Sequence, residues 1–330
     1  MTLDFGARSL DLVGVSRRTM VIVNPKSANG ATGRHWPELR AALDRVLEHW
    51  DNEFTLSAMD AARLSARAVD DGYDMIVSVG GDGTNNEIVN GFFREDGTLK
   101  RADLVLGLVR AGTGGDFARM LGLPSNLPKA VAHLAGDATR SCDLGLIEVT
   151  RPDGSTHRRA FINEISFGVS GVIVDRVNKT SKALGGGTSF FVGLVRGLAA
   201  YRPLPMAIEV DGALLYEGPV IAGVVANGQY FGGGMRIAKD ARLDDGLFDV
   251  LVVTRVGPKE LASIADLYSG NLVKWSTVRS ARGKSVEARP LPGPSSGSRE
   301  PVLLDVDGEQ PGRLPASVRI VPGAVRIKVA

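Results

Sequence analysis

Up to about residue 135 the apolar positions of this chain switch between two rhythms. Met20–Asn24 is a short apolar run that ends on Asn24-Pro25, the mark of a strand entering a loop. Trp36, Leu39, Leu43, Val46 and Leu47 follow at helical spacing, which predicts an amphipathic helix over Trp36–Trp50 with Pro37 near its start. The same reasoning places strands at Glu53–Leu56, Met75–Val79 and Leu104–Val109, and helices at Ala61–Asp71, at Asn85–Phe93 and from Asp116 to Leu121. Strand, loop and helix repeated in this order predict a doubly wound parallel α/β domain over residues 1–138. Ligands of such sheets bind beyond the carboxyl ends of the strands, which is where the glycine-rich loops of this chain fall.

Beyond about residue 140 the helical rhythm fades. Cys142–Val149, Arg159–Ile165, Met206–Val210, Val220–Ala226, Leu247–Val253, Val302–Val306, Val318–Val321 and Val325–Val329 are short β-like runs, separated by Gly, Pro, Asn or Asp. Closely spaced strands of this kind predict an antiparallel β-sandwich over residues 139–330, an α/β plus β organisation for the whole. Two helices are expected within it, near Phe190–Ala200 and Pro258–Leu267, and Pro290–Pro301 reads as an exposed loop.

Composition narrows the functions available. A net charge of +2 with few aromatics argues against a sequence-general nucleic-acid binder, which needs clustered Lys and Arg. One cysteine, Cys142, excludes an intramolecular disulfide and a multi-cysteine zinc site. The first residues lack the basic and apolar pattern of a secretory leader, and no apolar run approaches roughly 18 residues. A cytoplasmic location without a transmembrane segment is expected. The four histidines are scattered, and Gly168-Val169-Ser170-Gly171 is not a hydrolase elbow. The 41 glycines exceed the usual share of roughly 7 per cent, which suggests tight turns and close backbone approaches to a ligand.

Three loops share one logic. Asn24-Pro25-Lys26-Ser27-Ala28-Asn29-Gly30, Gly80-Gly81-Asp82-Gly83-Thr84-Asn85-Asn86-Glu87 and Gly112-Thr113-Gly114-Gly115-Asp116 each follow a strand and mix glycine with hydroxyl, amide or carboxylate groups. Glycines let backbone N–H groups point at phosphate oxygens, and helix N-termini add partial positive charge. Carboxylates in the same loops would repel phosphate unless they hold Mg²⁺, so Asp82 and Asp116 imply a metal–nucleotide complex. Neither a Walker-type P-loop nor a Rossmann fingerprint is present.

Taken together, these loops resemble the diacylglycerol kinase catalytic-domain superfamily of lipid kinases. The resemblance runs from about Thr19 to Val329. It is carried by Asn24-Pro25-x-Ser27, Gly80–Thr84 with Asn86-Glu87 and Asn90-Gly91, and Gly112-Thr113 with Asp116–Arg119. Asn163, Phe167-Gly168, Phe231–Met235, Leu243–Val250 and Asp307-Gly308-Glu309 extend it. Gly-Gly-Asp-Gly-Thr alone is shared with NAD kinases and, slightly changed, with 6-phosphofructokinases; the later segments separate this chain from both. The resemblance implies an NAD-kinase/phosphofructokinase-like α/β domain, a β-sandwich domain and ATP in the cleft between them. Carried over by position, Asn24, Pro25, Lys26, Ser27, Ala28, Thr55, Gly80, Gly81, Asp82, Gly83, Thr84, Asn85, Asn86 and Thr113 would hold the nucleotide. Asp82 and Asp116 would organise Mg²⁺, and Glu309 would take the proton of a lipid hydroxyl attacking the γ-phosphate. Asp245, with the carbonyls of Arg242 and Leu247, would hold a second, structural Mg²⁺. On its own, Asp307-Gly308 also reads as a hairpin turn.

Two positions depart from the family pattern. Gly115 stands where the family usually has Asn, and Arg110-Ala111 where Pro and a small residue usually precede the loop. The expected activity is transfer of the ATP γ-phosphate to a hydroxyl of a diacylglycerol-like lipid presented at a membrane or micelle, with peripheral attachment and a homodimer left open. The alternatives are a kinase for a soluble acceptor such as NAD, or a nucleotide-binding regulatory protein without catalysis.

Overall fold

The computed structural model describes residues 17–110, 115–124, 127–151, 153–171, 201–292 and 301–329. Four strands, β1 (Arg18–Val23), β2 (His49–Phe54), β3 (Met75–Gly80) and β4 (Val105–Arg110), run parallel in the order β2-β1-β3-β4. Helices α1 (Ala31–Arg34), α2 (Trp36–Leu43), α3 (Asp60–Asp70), α4 (Asp82–Asn90), α5 (Asp116–Met120) and α6 (Leu127–Ala130) connect and follow them. Side chains of β1 alternate between two covered faces, which is why it reads as one continuous apolar run. Met20 and Ile22 join Leu64 of α3 and Ile88 of α4 in one core cluster, while Val21 and Val23 join Leu39 and Leu43 of α2 in another.

The helix expected over Trp36–Trp50 stops at Leu43, and residues 49–54 form β2 instead. This strand lies at the sheet edge with half-exposed, mostly polar residues, so it carries no apolar signal. Trp50 and Phe54 both pack edge-on against Trp36, at centroid distances of 6.4 and 5.3 Å, which fixes α2 across the strand. The next difference is at α4, which begins at Asp82 rather than Asn85, with Gly81 as its extended cap residue.

The second part is built from β5 (Thr139–Thr150), β6 (Thr156–Phe161), β7 (Glu164–Gly168), β8 (Leu204–Val210), β9 (Ala213–Val220), β10 (Ala222–Ala226), β11 (Tyr230–Phe231), β12 (Met235–Arg236), β13 (Phe248–Val253), β14 (Val278–Gly283), β15 (Ser285–Pro290), β16 (Leu304–Val306) and β17 (Arg313–Lys328). A five-stranded sheet in the order β14-β13-β10-β7-β16 faces strands of a larger antiparallel array. Ile147, Phe161, Phe167, Ile208, Val250 and Val318 fill the space between them, with Phe161 stacked on Phe248 at 5.6 Å. Burying each such side chain contributes about 1.5–3 kcal/mol against leaving it in water.

Several expectations change here. The run Arg159–Ile165 is not one strand: β6 ends at Phe161 and β7 starts at Glu164 in the other sheet. Val318–Val321 and all of Val325–Val329 but its last residue belong to one sixteen-residue strand, irregular at Pro322–Ala324. The helix expected over Pro258–Leu267 is two short turns, α7 (Pro258–Ala262) and α8 (Asp266–Ser269). The helix expected at 190–200 and residues 293–300 of the expected loop lie outside the described residues. Among the described residues no helix is long and apolar enough to cross a membrane.

β17 joins the two parts. It runs antiparallel to β5 and β15, and at its far end Arg326 and Ile327 pair in parallel with Val105 and Leu106 of β4. The α/β sheet and one layer of the sandwich are therefore a single ten-stranded sheet. Buried Lys328 fastens that end by donating to the carbonyls of Ala135 and Gly136.

Candidate active site

The carboxyl ends of β1, β3 and β4 bring together the first two polar loops and, of the third, Gly115 and Asp116. After β1, Asn24 donates its Nδ2 to Thr84 Oγ1 at 3.1 Å and accepts from the Lys26 backbone N–H. Ser27 Oγ hydrogen-bonds the Asn24 carbonyl and Thr32. Ala28, Asn29 and Gly30 are three successive left-handed residues, a conformation that a non-glycine residue seldom holds without a functional reason. Lys26 Nζ reaches the carbonyl of Leu56, next to buried Thr55, whose N–H donates to Val23.

After β3, Gly80 must lack a side chain, because a Cβ there would sit 2.4 Å from Thr84 Oγ1. Asp82 is the first residue of α4. Its Oδ2 accepts the N–H groups of Gly115 and Asp116, each at 3.0 Å, while buried Oδ1 has no partner in the structure. Burial raises the Asp82 pKa and the Asp116 charge raises it further, against the pull of the donating backbone N–H groups. A cavity of about 10 Å³, close to the space of one water, is lined by Gly80, Gly81, Asp82, Asn85, Arg110 and Gly115 among others.

Gly115 and Arg110, the two departures from the family pattern, touch each other. Gly115 is left-handed, with φ +75°, and a Cβ on it would lie 2.4 Å from Arg110 Nε and 2.8 Å from its Cδ. The Arg110 side chain thus crosses the face that a side chain at 115 would occupy, and the Gly115 N–H serves Asp82 in its place. Asp116 is held on both oxygens, by Arg119 Nη1 at 2.9 Å and by the Gly233 N–H at 2.8 Å. A Cβ on Gly234 would come within 2.4 Å of Arg119 Nη1, so this glycine turn lets the sandwich approach α5. Thr113 lies outside the described residues.

Glu309 arrives from the other side. Asp307 and Gly308, with φ of +50° and +88°, are the central residues of a two-residue hairpin closed by Val306 and Glu309. The turn presents exposed Glu309 to the N-terminus of α4: a Cβ on Gly83 would lie 3.8 Å from Glu309 Oε1. The turn reading of Asp307-Gly308 therefore holds, and the turn sets Glu309 beside the start of α4.

Sequence reasoning missed what positions this hairpin. Asp307 is buried and accepts four hydrogen bonds, from Asn86 Nδ2 and from the N–H groups of Ile162, Asn163 and Glu164. Burial raises its pKa and those donors oppose the rise. Asn86 also donates to the Ala160 carbonyl and accepts from Arg159 Nη2, and Asn90, one turn along α4, brackets Ala160 on both its N–H and its carbonyl. The Asn86 side chain is thus occupied in joining α4 to β6, and the Asn85 carbonyl oxygen is turned to Ser78 of β3. The family resemblance implies that both asparagines hold the nucleotide. The one available signal to the contrary was their spacing, Asn86 and Asn90, on one face of a helix.

A divalent cation fits at Asp82, where a buried carboxylate oxygen has no protein partner. The loop around Asp245 fits one poorly. Its carboxylate is paired with Arg282, which also bonds Asp249, and accepts the N–H of Leu247. Nearby Asp143 is taken up by the N–H groups of Gly246 and Gly323, and Asp244 by Arg140 and Arg242.

Comparison with known proteins agrees with this architecture. Residues 18–147 match the diacylglycerol kinase catalytic domain and residues 163–329 match the YegS C-terminal NAD kinase beta sandwich-like domain. A diacylglycerol kinase of Staphylococcus carnosus (strain TM300) is 30% identical over 307 residues, 91% of each chain. A diacylglycerol kinase of Mycobacterium tuberculosis (strain ATCC 25618 / H37Rv) is 29% identical over 315 residues, 94% of each. A crystal structure of a diacylglycerol kinase from Bacillus anthracis str. Sterne, 20% identical, superposes with a TM-score of 0.69 over 95% of this chain and 97% of that one. Fold and matches together define a phosphotransferase of the kinase class. More narrowly, the chain belongs to the diacylglycerol kinase catalytic-domain family.

Proposed function

We infer that this protein is a lipid kinase that moves the γ-phosphoryl group of ATP to a hydroxyl of a diacylglycerol-like lipid. The observation that carries the reading is the approach of Glu309 to the start of α4, beside Asp82 with its unpartnered buried oxygen. The N-terminal N–H groups of α4 and the loop after β1 suit phosphate oxygens, because they present donors and the positive end of a helix. Asp82, with Asp116 next to it, would hold Mg²⁺; when bound, that ion supplies the positive charge that screens the triphosphate. Glu309 accepts the proton of the lipid hydroxyl as its oxygen bonds to the γ-phosphorus; the bond to the bridging oxygen breaks, and ADP leaves. A base on an exposed turn suits an acceptor delivered from a membrane or micelle surface, with the protein attached peripherally on the cytoplasmic side.

The test is transfer of labelled γ-phosphate from Mg·ATP to micellar diacylglycerol, monoacylglycerol, phosphatidylglycerol, sphingosine and ceramide, with NAD as a soluble control. A labelled lipid is expected, absent in D82A. Loss of turnover with retained ATP binding is expected in E309Q. Label in NAD alone, or full turnover by E309Q, contradicts the acceptor or the base respectively.

A further inference from the structure

Behind the hairpin that carries Glu309 lie two carboxyl groups with no part in the chemistry above. Glu164, the first residue of β7, is 2% exposed, and Asp305, in β16, is 5% exposed. Asp305 Oδ1 accepts the Gly308 N–H at 2.8 Å, which braces the hairpin from within, and its Oδ2 lies 3.4 Å from Ser166 Oγ. The side chains of Glu164 and Asp305 are hydrogen-bonded to each other. Two carboxylates have only acceptors, so this contact requires a proton between them.

The surroundings decide which group keeps that proton. Burial is the largest influence on both; the charges of Asp305 and Asp307 follow for Glu164, the Gly308 N–H and the Asp307 charge for Asp305, and Ser166 lowers both. β10 offers only Ala226 opposite Glu164, and Arg159 acts on Asp307 and Glu309 instead. Asp307 has four donors for its charge, and Asp305 has the Gly308 N–H and the Ser166 hydroxyl. Buried Glu164 Oε2 has no partner among the described residues. Glu164 is therefore the poorest site for a negative charge and the natural donor. Burial pushes its carboxyl well up, while Asp305 is pushed up by burial to about 7.

We propose that Glu164, as a neutral carboxylic acid, donates its proton to a hydrogen bond with Asp305 and so holds the hairpin in the position that presents Glu309. Glu164 and Asp305 are then positioning residues, and their effect on turnover rests on the kinase reading given above. Their protonation does not rest on it, so the two can fail separately.

Three measurements on the full chain test this. In infrared spectra near neutral pH, a buried carboxylic-acid C=O band is expected in the wild type and lost in E164Q; an unchanged band overturns the proposal. The second concerns stability. Glu164 keeps in the fold a proton that the unfolded chain releases near 4, so stability falls as pH rises above about 4, until the folded pair gives that proton up. D305N should flatten that dependence, and an unaltered slope refutes the pair. The third is kinetic. E164L should lower kcat by about tenfold or more with KM for Mg·ATP unchanged, because a small misplacement of a reacting group is costly. E164Q, which keeps a donor, should recover most of the loss. Wild-type kcat in E164L overturns the positioning role, and where E164L does not fold, the E164Q band and the D305N slope still decide. Full turnover by E309Q together with a band lost in E164Q would remove the base and leave the proton pair.

Discussion

Substituting Gly115 tests whether this glycine and Arg110 act as a pair. In G115A the residue must hold φ +75°, which costs about 1–2 kcal/mol for an L-side chain. Its Cβ also lands 2.4, 2.8 and 3.1 Å from Nε, Cδ and Cγ of Arg110, along the middle of that side chain rather than its tip. Forcing the arginine aside adds roughly 1–3 kcal/mol by analogy with overpacking, so a total near 3 kcal/mol is expected. Asparagine tolerates the left-handed region better, so G115N should isolate the contact and cost about 1.5 kcal/mol. R110A opens the space that the new side chain needs. In urea unfolding of the single and double variants, R110A/G115N should be more stable than the sum of the single changes allows, by about 1 kcal/mol. Additivity within about 0.5 kcal/mol would refute the pairing. Equal losses in G115A and G115N would refute the backbone part of the reasoning.

Asp307→Ala leaves the Asn86 amide and three backbone N–H groups without their acceptor, and should destabilise the chain by about 3–5 kcal/mol; a loss below about 1 kcal/mol in urea unfolding would contradict the role of Asp307 at the joint. The N–H of Leu56, and after it Arg63, hold the carboxyl of Asp60 below its usual range. Its folded pKa lies below the unfolded one, so its stabilisation is present above about pH 4 and is lost as pH falls through the folded value. D60N should lessen the fall in melting temperature on the acid side of pH 4, and an identical acid profile would count against it.

The sequence was most legible where a physical constraint leaves one solution. Strands buried on both faces must be apolar throughout, so β1, β3 and β4 were visible as runs, whereas the edge strand β2 meets water and kept a polar sequence. The polar loops were legible as a group because they recur at strand ends. What each residue does within them was not, since amide side chains serve a phosphate or a neighbouring strand equally well: Asn24 faces Thr84 in the cleft, while Asn86 grips β6 and Asp307. That choice depends on residues some 220 positions apart, and no local pattern encodes it. The same holds for Arg110 and Gly115, which look like two separate departures until their side-chain space is seen to be shared.

The path of β17 has a consequence for how this protein comes into being. On a ribosome the N-terminal strands emerge first, yet β4, paired on one side with β3, finds its second neighbour only when Arg326 and Ile327 have been made. Until then β4 shows an open edge of unpaired backbone groups, the kind of surface that recruits other chains. The nascent α/β part must wait, incomplete, until β17 has been made, and a truncation after β16 would remove its last strand along with part of the sandwich. Closing a loop of that length before the sheet is sealed favours slow folding. In such a chain the two halves mature together or not at all.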